Sequence, residues 1–249
     1  MPDKMQVRLT LEYDGADFCG WQLQPGQDSI QGRLEAALER IFNCAVRVRG
    51  AGRTDAGVHA TGQVAAIRLP RPFDPGDLKR ALNALLPPTI VVLDAASADD
   101  NFNPRRDASS RLYEYRILNR AQPSAFDYRH VWLVRGKLDL DAMNDAASRI
   151  IGEHDFSAFR SLGSEERTTR RIVLSSRWNQ NDVRIFYRIE ANSFMRHMVR
   201  TLVGAMVEIG RGRASADSMT TMLEKCDRAL VPASAPSSGL FLIAVRYPG

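Results

Sequence analysis

Hydrophobic and polar residues alternate with a period of two in several short segments, a pattern typical of half-buried β-strands. The first segment shows it most clearly, because Val7, Leu9 and Leu11 alternate with Arg8 and Thr10. Alternation and short apolar runs predict strands at residues 7–13, 46–48, 64–69, 90–93, 111–118, 131–134, 172–178, 183–191 and 240–245. The two strands around residues 179–182 form a predicted hairpin.

Five further segments repeat apolar residues at the spacing of an α-helix. Ser29 precedes the first of them and can act as its N-cap. The fourth has the longest apolar face, from Met195 to Ile209, and it places Arg196 and Arg200 four residues apart on another side. The predicted helices cover residues 30–41, 77–86, 140–151, 194–209 and 216–226.

Each half of the chain mixes strands with about two helices, and no repeat or long linker appears. This mixture predicts an α+β fold of two similar halves, in which mainly antiparallel sheets are flanked by helices. Residues 99–110 are polar and mark a boundary. We therefore predict an N-terminal α+β domain at residues 1–105 and a C-terminal α+β domain at residues 106–249.

Composition narrows the class of protein. A chain of 249 residues can bury about 70–75% of its unfolded surface without disulfides or metals. Its three cysteines, Cys19, Cys44 and Cys226, are too scattered for a disulfide framework or a zinc site and indicate a reducing compartment. No stretch reaches the ~20 apolar residues of a membrane span, and the first residues lack the apolar run of a secretion signal. We expect a cytoplasmic protein.

The basic residues favour a polyanionic partner. The formal net charge is +5, and only four of the 34 basic residues are lysines. Because arginine pairs with phosphate through a planar fork and stacks on bases, a nucleic acid fits this composition. Genomic base composition explains the high ratio of arginine to lysine equally well, so the charge alone is only a mild indication.

The segment from Gly50 to Gly62 carries the strongest sign of chemistry. It holds four glycines in thirteen residues and lies between two predicted strands, and loops on a rigid scaffold often carry catalytic groups. Arg53 and Asp55 are two residues apart, so the cation can influence the carboxylate. Taken alone, these residues also fit a plain turn with a solvated ion pair.

Known phosphate and metal motifs are missing from this segment. It has neither the Gly-Lys-Ser/Thr of a phosphate loop nor the Gly-x-Gly-x-x-Gly of a dinucleotide site. Asp55 and His59 have the four-residue spacing of a helical metal site, but Gly57 and Val58 between them argue against a regular helix.

The run Arg53-Thr54-Asp55-Ala56-Gly57-Val58-His59-Ala60 resembles the signature loop of the tRNA pseudouridine synthase A family. Other motifs of that family follow in the same order along nearly the whole chain. They lie at residues 12–15, 18, 20–22, 29–31, 111–115, 152–160, 192–200 and 239–242.

The resemblance implies a pseudouridine synthase-like fold and an isomerase that acts on a uridine already inside tRNA. In this reaction the bond from N1 to C1′ breaks, the base rotates, and C5 bonds to C1′. The resemblance implies that Asp55 is the catalytic aspartate, acting covalently or as a base, and that Arg200 pairs with it. Tyr113 matches a catalytic tyrosine that stacks on the target base. Arg53 matches an arginine that fills the space left by the flipped nucleotide.

The resemblance also implies a homodimer that needs no cofactor or metal and modifies the anticodon stem-loop at tRNA positions 38, 39 and 40. Arginines elsewhere are candidates for contacts with the RNA backbone; they are Arg105, Arg106, Arg167, Arg170, Arg171, Arg211 and Arg213. One departure affects this set, because Asn103 and Pro104 follow Phe102 where the family usually has His and Ala.

Two other functions are the alternatives to a pseudouridine synthase. The protein could be a non-catalytic RNA-binding protein or a metal-dependent hydrolase that uses Asp55 and His59.

Overall fold

The computed structural model describes residues 5–161 and 168–248. The chain forms two compact units, of which the first comprises residues 1–109 and 242–249 and the second residues 110–241. This division differs from the predicted domains at two points. The boundary follows residue 109 rather than residue 105, and the C-terminal residues return to the first unit. A local sequence pattern identifies a strand but not the sheet that it joins, which explains the second difference.

The described residues form ten strands and five α-helices. In chain order they are β1 (Met5–Tyr13), α1 (Ile30–Phe42), β2 (Val48–Gly50), β3 (His59–Leu69), α2 (Pro75–Leu85), β4 (Ile90–Ser97), β5 (Ser110–Asn119), β6 (Trp132–Val134), α3 (Leu140–Ser148), β7 (Gly152–Asp155), β8 (Arg170–Asn181), β9 (Arg184–Ala191), α4 (Met198–Gly210), α5 (Asp217–Lys225) and β10 (Leu240–Arg246).

In the first unit the strand order is β4-β1-β3-β10, and β2 pairs with β3. The pairs β1–β3, β1–β4 and β2–β3 are antiparallel. Val7, Leu9 and Leu11 are fully buried, whereas Arg8 between them is exposed. One face of β1 therefore points into the core, as the alternation predicts, whereas the other face is exposed only at Arg8.

Helix α1 begins where the sequence predicts because Ser29 caps it. The Ser29 Oγ accepts a hydrogen bond from the Gly32 amide at 3.2 Å, which satisfies one of the free donors of the first turn. The apolar side chains Ile30 and Leu34 are fully buried. Asp74 caps α2 in the same way, through the Asp77 amide at 2.9 Å.

In the second unit the strand order is β5-β9-β8-β7, and β6 runs parallel to β5. β8 and β9 form the predicted antiparallel hairpin. Trp178 of this hairpin stacks on Tyr187 with ring centroids 4.6 Å apart, and its Nε1 donates to the Met206 Sδ of α4 at 3.2 Å. The hairpin and α4 thus share one core.

The predicted α+β class with mainly antiparallel sheets is confirmed. The predicted start of the fourth helix is wrong, because α4 begins at Met198, after His197 has adopted a left-handed φ of 64°. Arg196 precedes the helix, so it does not share a helical face with Arg200. Met195 is buried by a local turn, in which the Met198 amide donates to its carbonyl at 3.2 Å, and this explains why the apolar pattern begins early.

None of the helices in the described part of the chain is long and apolar enough to cross a membrane. Strand β7 has no counterpart among the predicted strands. Its four residues, Gly-Glu-His-Asp, contain no apolar side chain to alternate, so its pairing with β8 is set by the fold around it.

Candidate active site

The loop between β2 and β3 carries two of the predicted site residues. Asp55 is half-buried and Arg53 is exposed. Arg53 has no hydrogen-bond or ion-pair partner within residues 5–161 and 168–248. A half-buried carboxylate and an exposed guanidinium thus lie two residues apart on one short loop.

Backbone hydrogen bonds fix this loop on both sides of Asp55. The Thr54 carbonyl accepts from the Trp21 amide at 3.0 Å, and the Gly57 amide donates to the Phe18 carbonyl at 3.3 Å. Within the loop, the Val58 amide donates to the Asp55 carbonyl at 3.1 Å. Because its neighbours are bonded to a separate segment, the backbone of Asp55 has little freedom to move.

A network of buried polar side chains also holds this loop in place. The Tyr13 Oη lies 2.8 Å from the Thr54 Oγ1, and the Gln63 Nε2 donates to the Tyr13 Oη at 3.3 Å and to the Gly52 carbonyl at 3.0 Å. Burial raises the pKa of Tyr13 to about 12, although the hydrogen bonds from Thr54 and Gln63 act in the opposite direction. The phenol therefore stays neutral and can donate to Thr54 at physiological pH.

Two glycines let the N-terminal segment approach the loop closely. A Cβ on Gly20, which has a φ of 108°, would lie 2.6 Å from the Thr54 carbonyl oxygen. A Cβ on Gly15 would lie 1.9 Å from the Val58 carbonyl oxygen. Any side chain at either position would push the loop away, so both glycines contribute to placing Asp55.

His59 belongs to this support and not to a helix with Asp55. It opens β3, is fully buried, and places its Nδ1 3.1 Å from the Gly15 amide and 3.0 Å from the Asp14 Oδ1. The helical spacing on which a metal site at Asp55 and His59 depends is therefore not formed. Within the described residues, no group of three potential metal ligands includes Asp55.

In the second unit, Tyr113 lies on β5 with its side chain largely buried. Its ring packs edge-on against Phe194, with centroids 5.1 Å apart and an interplanar angle of 83°. This contact fixes the plane of the ring, which is the property that stacking on a base requires.

Arg200 lies in the first turn of α4 and is half-buried. Its Nε donates to the Ala235 carbonyl at 2.8 Å, and the Ala235 amide donates back to the Arg200 carbonyl at 2.9 Å. The Tyr115 hydroxyl donates to the adjacent Pro236 carbonyl at 2.7 Å. Burial raises the pKa of Tyr115, and the positive charge of Arg200 partly offsets this. Arg200 is thus held in one orientation close to a buried phenol.

The arginines proposed as backbone contacts differ in exposure. Arg170 is exposed and pairs with Glu153 at 2.8 Å, which raises the pKa of Arg170. Arg171 is buried, and its Nη1 donates to the Thr168 carbonyl at 2.8 Å. Arg167 lies outside the described residues.

Arg211 and Arg213 both pair with Glu208, at 2.7 Å and 2.9 Å. This shared carboxylate lowers the positive charge that the two arginines present to a ligand.

The departure at Asn103 has a structural explanation. The Asn103 Oδ1 accepts hydrogen bonds from the amides of Arg105 and Arg106, each at 3.1 Å. The Asn103 amide donates to the Asp107 Oδ2 at 2.7 Å. Asn103 therefore closes a turn that exposes both arginines.

Sequence reasoning missed the residues that support the loop. Tyr13, Gly15 and Gly20 belong to motifs that the family resemblance includes, but their contacts with the loop have no local pattern. Gln63 follows Gly62 and reads as an ordinary strand residue, although it is fully buried. What points to Gln63 is its burial, which only the structure reveals, together with its place beside the glycine-rich loop.

Comparison with known proteins identifies the family of this chain. The family model described as tRNA pseudouridine synthase matches residues 10–105 and 146–248. A tRNA pseudouridine synthase A of Rhodospirillum rubrum is 42% identical over 248 residues, which cover 98% of this chain and 88% of the relative. Relatives of the same name from Bradyrhizobium sp. and Rhodopseudomonas palustris are 42% and 45% identical, each over 97% of this chain and 99% of the relative.

A chain in the crystal structure of the archaeal box H/ACA sRNP Nop10-Cbf5 complex is similar with a TM-score of 0.34 and 12% identity. That match covers 80% of this chain and 53% of the other. The family match and the identities over nearly the full length establish the class: this chain belongs to the tRNA pseudouridine synthase family. The predicted kind of enzyme, an isomerase that acts on uridine in tRNA, is confirmed by this membership.

Proposed function

We propose that this protein converts uridine to pseudouridine in the anticodon stem-loop of tRNA, at positions 38, 39 and 40. Asp55 is the carboxylate that acts at the sugar or the base, Tyr113 is the tyrosine that stacks on the target base, and Arg200 is the arginine that the family resemblance assigns to the aspartate. The observation that carries the proposal is the fixed backbone of Asp55, bonded on both sides to the segment of Phe18 and Trp21. A loop backbone held in this way limits the positions that the Asp55 carboxylate can take, which favours attack or proton transfer from a defined position.

The reaction needs the uridine outside the base stack. Unstacking costs a few kcal/mol, and an aromatic platform returns roughly 1–3 kcal/mol per stacked base. The ring of Tyr113, held in plane by Phe194, is suited to receive the base. The exposed Arg53 is suited to occupy the gap in the RNA, because a guanidinium both stacks and pairs with phosphate.

Arg105 and Arg170 are exposed, which supports them as contacts with the RNA backbone. Such contacts hold the register of the RNA and give salt-dependent affinity. Arg171 is buried on backbone carbonyls, so we propose that it supports RNA binding by holding the start of β8 in place.

Release of tritium from tRNA that carries [5-³H]uridine tests the activity, because isomerisation must expel the hydrogen at C5. Wild-type protein is expected to release tritium without added metal and in the presence of a chelator. Asp55→Asn is expected to lower kcat by about 10³-fold or more. Asp94→Asn, at an exposed aspartate of β4 in the same unit, is the matched control and keeps the wild-type rate.

Two results contradict the proposal. Absence of release by wild-type protein on every anticodon-arm substrate excludes the isomerase and leaves the RNA-binding alternative. Full-rate release by Asp55→Asn excludes Asp55 as the catalytic carboxylate.

The same proposal includes a cytoplasmic homodimer. Ile172 and Leu174 are exposed apolar side chains on β8, with 42% and 54% of their surface accessible, and they offer a surface for a second copy. Light scattering on purified protein is expected to give twice the mass of the chain. Leu174→Glu is expected to shift the mass towards that of one chain.

A further inference from the structure

A basic cavity lies in the first unit, and none of the residues proposed for catalysis lines it. It has a volume of about 540 Å³ and is lined by four arginines, Arg47, Arg49, Arg68 and Arg106, and by one carboxylate, Asp100. All five residues are exposed. The cavity therefore has an excess of positive charge and is open to a ligand from solution.

Strand register explains how the sequence concentrates this charge. Arg49 of β2 and Arg8 of β1 both pair with Ala66 of β3, one on each side. Directly paired residues of antiparallel strands point to the same face, and Arg68 follows Ala66 by two positions on that face. Arg49 and Arg68 therefore line the cavity from one face of the sheet, and Arg8, which is not a lining residue, adds positive charge to the same face.

Two of the lining arginines have no carboxylate partner among the residues that the structure describes. The Arg68 Nη2 donates to the Asp100 backbone carbonyl at 2.7 Å, which is an uncharged acceptor. The Arg49 side chain has no hydrogen bond or ion pair to any residue in the described ranges, although the Arg49 backbone pairs with β3. The other two are paired, Arg47 with Glu35 at 3.0 Å and Arg106 with Asp107 at 2.9 Å.

The ligand that fits this arrangement is a phosphodiester. Two unneutralised guanidinium groups with free N–H donors match the geometry of phosphate oxygens. An isolated phosphate would not fill the cavity. The cavity has room for a sugar-phosphate segment as well.

The cavity lies close in sequence to the loop between β2 and β3 that carries Asp55, and this position indicates which molecule supplies the phosphodiester. Arg49 lies on the strand that leads into the loop, and at most ~14 Å of extended chain separates its Cα from that of Arg53. An RNA molecule that reaches Arg53 and Asp55 is large enough to reach this cavity as well.

We propose that the cavity lined by Arg47, Arg49, Arg68 and Arg106 binds a backbone phosphate of the RNA substrate outside the reacting nucleotide. This inference rests on the proposed tRNA substrate. The cavity holds the register of the RNA, and its residues take no part in the bond changes at the uridine.

The test compares Arg49→Gln/Arg68→Gln with Arg40→Gln/Arg33→Gln, which removes two exposed arginines from α1. Fluorescence titration of labelled tRNA gives Kd at several salt concentrations, and tritium release gives kcat and KM. For the cavity variant we expect Kd and KM to rise roughly tenfold with kcat unchanged. The slope of log Kd against log salt is expected to fall by about 0.7–0.9 for each phosphate that the variant no longer binds. The α1 variant is expected to keep the wild-type values.

A third variant changes the charge in the opposite direction. Asp100→Asn removes the only carboxylate among the five residues that carry the inference, and the Asp100 backbone carbonyl that Arg68 uses is retained. We expect Kd for tRNA to fall by roughly two- to threefold. Thermal melting of all three variants establishes that they fold.

Three outcomes overturn the inference: equal Kd and salt slope for the cavity and α1 variants, a loss of kcat without a change in Kd, or weaker binding by Asp100→Asn. Failure of the proposed function is distinguishable from these. Wild-type protein that binds tRNA but releases no tritium contradicts the isomerase, and the titrations with the variants still decide whether the cavity binds RNA.

Discussion

The Tyr13 hydroxyl lies 2.8 Å from the Thr54 hydroxyl, and this buried hydrogen bond connects the end of β1 to the residue directly before Asp55. Forty-one positions separate the two residues in the sequence. Thr54 is held a second time through its carbonyl, which accepts from the Trp21 amide. The position of the proposed catalytic carboxylate therefore depends on residues of the N-terminal strand and of the segment that follows it.

Tyr13→Phe tests this dependence. The change removes one hydroxyl and leaves the Thr54 Oγ1 without its buried partner, so we expect a loss of about 1–2 kcal/mol of unfolding free energy. Displacement of the loop is expected to lower kcat for tritium release roughly 10- to 100-fold, because small misplacements of a catalytic group are costly. KM for tRNA should stay within about twofold of wild type.

Tyr187→Phe is the matched control for that prediction. Tyr187 is also a fully buried tyrosine, and its hydroxyl lies 2.8 Å from the Ser176 hydroxyl in the second unit. We expect a similar loss of stability with no change in kcat. Equal kcat values for the two variants would show that the bond from Tyr13 to Thr54 does not position Asp55.

Gly20→Ala is expected to damage the same loop through backbone geometry. An alanine at a φ of 108° is strained, and its Cβ would lie 2.6 Å from the Thr54 carbonyl oxygen. We expect about 2 kcal/mol or more of lost stability and a fall in kcat. Gly26→Ala is the control, because Gly26 also has a positive φ, of 71°, but no atom within 4 Å of its added Cβ. Melting temperatures and tritium release check both, and wild-type kcat for Gly20→Ala contradicts the prediction.

The sequence predicts those parts of the fold that local patterns determine. The alternation of β1 and the cap of α1 at Ser29 are local, and both agree with the structure. The start of α4 is not determined by the local pattern. The helical spacing of apolar residues extends back to Met195, but the left-handed φ of His197 prevents the helix from starting before Met198. The return of β10 to the first unit likewise depends on pairing between distant segments.

The candidate site divides in the same way. Asp55 and Arg53 are predicted because the signature loop is a contiguous motif. The support from Tyr13 and Gln63 could not be predicted, because hydrogen bonds between distant polar residues leave no periodic pattern. Arg49 faces the same side as Arg68 only because it pairs with Ala66, which lies two positions before Arg68 on β3. Strand register of this kind is a property of the folded sheet.

The protein is expected to lose stability above pH 10 through its buried tyrosines. Burial raises the pKa of Tyr13 from 10.0 to about 12, so the folded state favours the neutral phenol. The stabilising effect is complete below pH 10 and is lost as the pH rises through 12, by at most ~1.4 kcal/mol per pH unit for one tyrosine. Burial also raises the pKa of Tyr115 and Tyr187, which adds to the loss.

Denaturant unfolding between pH 8 and pH 12 measures this effect. Tyr13→Phe starts less stable than wild type at pH 8 but lacks one titrating phenol, so the difference between the two proteins is expected to shrink above pH 10. Parallel stability curves up to pH 12 would show that Tyr13 titrates at its ordinary pKa in the folded protein.

Substitutions at Tyr113 are expected to separate stacking from proton transfer. Tyr113→Phe keeps the ring and its edge-on contact with Phe194, so affinity for tRNA should stay within about twofold of wild type. The hydroxyl oxygen is the only polar atom of this side chain, and it can accept the C5 proton, directly or through water, when its own proton has passed to solvent. We therefore expect at least a tenfold fall in tritium release, an effect in the range of general-base catalysis.

Tyr113→Leu is the companion variant, because it also removes the aromatic face. The loss of stacking is expected to weaken tRNA binding by roughly 1–3 kcal/mol, with tritium release falling below that of Tyr113→Phe. Release is measured under single turnover with saturating enzyme, so that weaker binding does not hide the chemical step. If Tyr113→Phe releases tritium at the wild-type rate while Tyr113→Leu does not, the ring alone is required and another group removes the C5 proton.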